Sequence, residues 1–123
     1  MIEQRQYPRI NKTAIVRFRL SGSHLGMSSK SEDVSAGGMR LSVLQRLDLG
    51  MSLDLNFKLD DFGESIAAKA KVVWQSTRDN AYYPFVVGLK FFKINPADSK
   101  RIHDYVSKML RKNVPADATE TNN

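Results

Sequence analysis

Apolar and polar residues alternate with a period of two through most of the chain. Ala14, Val16, Phe18 and Leu20 share one parity, with Arg17 and Arg19 on the other. Such a run is a strand with one apolar face and one largely basic face. Ser21-Gly22-Ser23 breaks the pattern, and a polar connection follows to Lys30. Residues 31–35 read as a short second strand, punctuated by Gly37-Gly38. Met39, Leu41 and Val43 form a third run, and Leu53, Leu55, Phe57 and Leu59 a fourth. Asp60-Asp61-Phe62-Gly63 supplies hairpin-loop residues. Ile66, Ala68, Ala70, Val72 and Trp74 make the fifth run, opposite Lys69 and Lys71; their shared parity makes the core the first position for Trp74, with the edge of a site as the alternative, because the indole is large and carries a polar tip. After a turn signal at Arg78-Asp79-Asn80, Phe85, Val87, Leu89 and Phe91 form the sixth.

The period then changes. Asn95-Pro96-Ala97-Asp98 has a capping residue, a proline at the first helical position and an acid in the first turn. Ile102, Tyr105, Val106, Met109 and Leu110 follow at helical spacing as one apolar stripe, read as packing on the strands. Lys108, Arg111 and Lys112 stand near the C-terminal end, where the helix dipole favours cations. Residues 113–123 are polar and aperiodic and read as a disordered tail. Short strands joined by hairpin-length loops and followed by one helix predict a mainly β protein, a small antiparallel barrel with a filled interior. The organisation expected is an N-terminal arm at 1–12, a barrel plus helix at 13–112 and the tail.

Composition adds limits. A chain of 123 residues suits one domain. No stretch approaches the ~20 apolar residues of a membrane helix, so membrane insertion is not expected. The N-terminus lacks a signal-peptide core. With no cysteine, a disulfide scaffold and a thiolate zinc site are excluded, and a cytoplasmic location is expected. The formal charge is +6, and +4 of it falls in residues 1–40, where seven Lys and Arg stand against three acids. An anionic partner fits that distribution.

Catalytic constellations are scarce. His24 and His103 are the only histidines, neither has metal-ligand spacing or a carboxylate arranged beside it, and no phosphate-loop or nucleophile-elbow motif occurs. An enzyme is not expected, and neither is a cofactor. Two other features carry more information. In Arg5-Gln6-Tyr7-Pro8-Arg9 the proline biases Tyr7 towards extended geometry. Four residues then span about 13 Å, and two guanidinium groups on such an arm reach opposite sides of a compact dianion, with forked hydrogen bonds to phosphate or to guanine. In Asp33-Val34-Ser35-Ala36-Gly37-Gly38 strand alternation puts Asp33 and Ser35 on one face. A carboxylate beside a hydroxyl suits the two N–H donors of guanine's Watson–Crick edge, and Gly38 permits close approach of a ligand or a bent backbone. Asp and Ser also cap turns at a strand end.

Both motifs, in this order and followed by Val72-Val73-Trp74, Val87-Gly88-Leu89-Lys90-Phe91 and a helix, resemble the PilZ domain family over residues 3–112. The resemblance implies a six-stranded antiparallel β-barrel with a C-terminal α-helix that binds the bacterial second messenger cyclic di-GMP. It further implies that Arg5 and Arg9 clasp phosphates and guanine, that Asp33 and Ser35 meet a guanine base, and that Gly38 leaves room for it. The arm would close over the ligand and alter contacts with an effector protein. Gln4 stands where many members carry a further arginine, which favours one ligand molecule over an intercalated pair. The alternatives are a PilZ-fold interaction module without nucleotide, and a small basic barrel binding single-stranded nucleic acid. Against the latter, Phe18, Phe57, Phe85 and Phe91 all fall on the faces assigned to the core, so nucleic acid is not expected as a partner.

Overall fold

The alternating runs pair into one antiparallel sheet that closes on itself. In the computed structural model, which describes residues 7–60, 63–79 and 82–112, the strands are β1 (Arg9–Asn11), β2 (Ile15–Leu20), β3 (Met27–Ser35), β4 (Gly38–Val43), β5 (Ser52–Phe57), β6 (Ile66–Thr77) and β7 (Phe85–Ile94), followed by α1 (Pro96–Lys112). The order is β1-β3-β2-β5-β6-β7-β4, and β4 returns to β3. Strands β2 to β7 thus make a closed six-stranded barrel. β1 lies beside the C-terminal half of β3, with Arg9 opposite Ser35 and Ile10 opposite Val34. β2 pairs with the N-terminal half of β3.

The interior is filled by the residues that share inward parity, among them Val16, Leu41, Leu53, Ile66, Val72 and Val87, all buried. Phe57 and Phe91 stack inside with ring centroids 6.3 Å apart. The helix begins as its residues dictate: Asn95 Oδ1 accepts the Ala97 N–H at 2.9 Å. Its stripe buries Ile102 and Val106 completely, with Tyr105 and Met109 packed beside them, and the helix lies against β1 and β3.

The second strand of the pattern, β3, is longer than its apolar residues indicate. It starts at Met27 rather than Ser31, so much of the polar connection is sheet. The inward positions there are Ser29 and Ser31, both buried, and polar residues inside leave no alternation to read. Ser31 fixes the link between β1 and β2, because its Oγ accepts the Ala14 N–H at 3.0 Å and donates to the Lys12 carbonyl at 2.5 Å.

Among the described residues the sheet has three β-bulges, and two of them re-aim side chains on β3 and β6. On β3, Ser31 faces Leu41 and Asp33 faces Arg40, so Glu32 is an extra residue. On β6, Val72 faces Leu89 and Trp74 faces Gly88, so Val73 is extra. Each insertion swaps inward and outward parity beyond it. The inserted Glu32 is tied down in turn by both terminal guanidinium nitrogens of Arg78 and by the Ser42 hydroxyl at 2.6 Å. Burial pushes the Glu32 carboxyl up, but the Arg78 and Ser42 hydrogen bonds and the charges of Arg78 and Arg40 outweigh it, and its pKa lies below the ordinary 4.5.

A group depressed in the folded state stabilises above its unfolded pKa and loses that contribution as pH falls through the folded value. The bidentate pair is therefore expected to add about 1 kcal/mol at pH 7, at the upper end for a partly exposed pair, and to lose it at acid pH below 4.5. Urea unfolding of the wild type and Arg78→Ala across that range checks this. A gap between them that persists undiminished in acid contradicts it.

Candidate functional site

The bulge at Glu32 turns Asp33 and Ser35 to the outer wall while Val34 points into the core. Their cross-strand neighbours are Arg40 and Gly38 on β4 and Asn11 and Arg9 on β1. Three donors converge on Asp33. Its Oδ2 accepts from Arg9 Nη1 at 3.1 Å and from Arg40 Nε at 2.8 Å, and its Oδ1 accepts the Arg40 backbone N–H at 2.9 Å. Asp33 is only 2% exposed. A buried carboxylate needs such partners, because an unpaired one carries a large desolvation cost. Arg9 Nε, also buried, has no hydrogen-bond partner among the described residues.

Ser35 is engaged by the turn that follows it. Its Oγ accepts the N–H groups of Gly37 at 3.1 Å and Gly38 at 3.2 Å and sits 3.3 Å from the Gly38 carbonyl. The glycines permit two close approaches. A Cβ on Gly37 would lie 2.5 Å from the Tyr7 ring, and one on Gly38 would lie 1.9 Å from the Leu89 carbonyl oxygen. The space beside Gly38 is thus filled by the backbone of β7. Of the residues singled out in sequence, Arg9, Asp33, Ser35 and Gly38 come together here, whereas Arg5 and Gln4 lie outside the described residues.

These groups border a cleft of about 600 Å³ whose lining includes Tyr7, Arg9, Asp33, Arg40, Trp74 and Lys90. Trp74 is not in the core as its parity predicts. The bulge at Val73 rotates it outward, where it is 39% exposed and lies over Gly88; a Cβ at position 88 would approach the indole nitrogen to 2.1 Å. The sequence does carry a trace of this, since Val73 is a branched apolar residue that follows Lys69 and Lys71 on the outward face. Alternation shows Arg40 as outward-facing but not as a partner of Asp33, because the β3–β4 register depends on the bulge. Tyr7 carries no signal beyond its place between the two arginines.

Chemically the cleft offers guanidinium groups, an ammonium at Lys90, a carboxylate that accepts N–H donors, and an aromatic face. That inventory suits a planar, anionic, N–H-bearing ligand. Among the described residues no group of three or more His, Cys, Asp or Glu could hold a metal ion. A second cleft of about 470 Å³, lined in part by Lys12, Arg17 and Lys58, has no buried carboxylate.

Known proteins with this shape bear on the reading. No protein of curated function matches the sequence. The Bacillus subtilis inhibitor of motility MotI/DgrA superposes with a TM-score of 0.81 at 19% identity, over 93% of this chain and 55% of that one. The PilZ domain of Escherichia coli YcgR, solved with c-di-GMP, gives 0.68 at 16% identity, over 89% and 94%. The Klebsiella pneumoniae MrkH–c-di-GMP complex gives 0.74 at 16% identity, over 90% and 54%. This chain spans about half the length of the MotI and MrkH chains. The PilZ domain family model matches residues 3–108. With that match along most of its length and the six-stranded barrel it leads one to expect, the chain belongs to the PilZ domain family.

Proposed function

We propose that the protein is a receptor for cyclic di-GMP, bound in the cleft between the N-terminal arm and the β3–β4–β7 wall. The observation that carries this is the Arg9–Asp33–Arg40 cluster: a buried carboxylate held by two arginines, one with an orphan donor, at the mouth of a cleft faced by tryptophan. Similar structures that hold c-di-GMP, YcgR and MrkH, support it. In this reading the guanine N–H donors replace an arginine at Asp33. The freed Arg9 guanidinium, together with Arg5, turns to phosphate and to the guanine acceptor edge. The Trp74 ring supplies a stacking face. Ser35 acts indirectly by holding the turn that shapes the cleft.

Closure of the arm over the ligand would change the surface formed by β1 and α1, which lie together, and so alter contacts with an effector protein. Among the described residues no helix is long and apolar enough to cross a membrane.

Calorimetric titration with cyclic di-GMP, with cyclic di-AMP as comparison, tests the proposal, followed by amide NMR. Saturable binding of the guanine ligand is expected, with shifts concentrated at residues 4–10, 33–38 and the Trp74 indole. An unchanged spectrum at about millimolar ligand, or equal binding of both dinucleotides, overturns it.

A further inference from the structure

A row of cations extends from the cleft around the outer barrel wall, and the cyclic di-GMP reading does not use it. On β6 and β7, Lys71 stands directly opposite Lys90 and Lys69 directly opposite Lys93. Two successive like-charge cross-strand pairs lower stability. On β2 and β5 the outward positions add Arg17 and Arg19, and the carboxylate of Asp54 stands among them. Asp54 is taken by Lys69 at 2.7 Å and Arg19 at 3.2 Å. Lysines on a sheet often guard an open edge against aggregation, but β6 and β7 are paired on both sides and have no edge to guard.

Two further features lie in this wall. Phe92, the extra residue of a second β6–β7 irregularity, is 51% exposed, and the Lys71 ammonium sits 5.4 Å from its ring centre. Two shallow clefts of about 320 and 370 Å³ run beside the Arg19–Asp54–Lys69 row. Arg19, Asp54, Leu55 and Ala67 line both, Arg17 lines the smaller, and Lys69 and Lys93 line the larger. The four core phenylalanines argue against a nucleic-acid surface, and they are indeed inward, but Phe92 is an aromatic on the basic face.

We infer that the outer wall of β2, β5, β6 and β7 binds single-stranded nucleic acid, its phosphates on Arg17, Arg19, Lys69 and Lys93 and a base on the Phe92 ring. Protein interfaces are depleted in lysine, so the chemistry selects a polyanion. A bilayer surface does not enter clefts of this size, whereas single nucleotides do. A cationic groove with a sequence-tolerant aromatic platform is how single strands are held. Lys90 is the cation that this wall shares with the messenger cleft, so the two sites are separable by substitutions elsewhere in the wall.

The test is fluorescence anisotropy of a labelled oligothymidylate of about 15 nucleotides, titrated with the full chain at salt from about 50 to about 200 mM. Wild type should bind, with log K falling steeply against log salt. Lys93→Gln should flatten that slope by about 0.7, the contribution of one phosphate on a single strand. Phe92→Ser should weaken binding about tenfold while leaving the slope unchanged. Cyclic di-GMP titrations of both variants should match wild type, which separates failure here from failure of the messenger reading. The inference is overturned if the oligonucleotide does not bind at low salt, if both variants bind it like wild type, if a duplex of equal length binds as tightly, or if phosphatidylglycerol vesicles bind and the oligonucleotide does not.

Discussion

Replacing Gly38 by alanine should destabilise the protein by about 3 kcal/mol, the upper end of what forced overpacking costs. The new Cβ would fall 1.9 Å from the Leu89 oxygen, 3.0 Å from the Leu89 carbonyl carbon and 3.2 Å from Lys90 Cα. All three are backbone atoms, so no side chain can swing aside. Relief requires β4 to move off β7 where Gly38 pairs with Lys90 and Met39 with Leu89. In a barrel both strands are held from their other sides as well, by β3 and β6. For a domain near this size the expected fall in Tm is about 10 °C or more, measured by thermal circular dichroism. A variant melting within about 2 °C of wild type would show that the strands give way cheaply. The same geometry means that loss of ligand binding in this variant reports first on the fold, so Gly38 is a poor probe of direct ligand contact.

Arg9→Ala should weaken cyclic di-GMP binding ten- to a hundredfold. A hydrogen bond to a charged group contributes about 1.5–3 kcal/mol, and each ~1.4 kcal/mol is tenfold. The variant is suited to the question because Asp33 keeps two of its three donors, the Arg40 Nε and backbone N–H, and the barrel should stay folded. Arg9→Lys should recover only part of the loss, since an ammonium cannot make the forked contact. Calorimetry on the folded variants decides the matter, and affinity close to wild type would remove Arg9 from the site. Arg5→Ala is expected to behave in the same way.

The closed barrel is legible because five of its six strands carry runs of apolar alternation and the helix announces itself by Asn95-Pro96 and a period near four. What escapes the pattern has a physical cause in each case. The first half of β3 buries serines, so its inward face is invisible to a hydrophobicity argument. Alternation puts Trp74 in the core because parity carries no memory of an inserted residue. Asp33 and Ser35 do share one face, since they lie on the same side of the bulge, but their partners Arg40 and Gly37 depend on long-range register and on the turn. Motif spacing can name the residues of such a cleft; only pairing across strands shows which of them hold one another.

Two of the inserted residues lengthen their strands without changing which neighbours meet. Without Val73, Trp74 would follow Val72 directly, and the two would still stand opposite Gly88 and Leu89, with Trp74 outward by plain alternation. Without Glu32, Asp33 would still face Arg40 and Ser35 still face Gly38. A descendant that had lost either codon would keep the same cleft under a spacing one residue shorter, and a search that fixes the interval between motifs would pass it over.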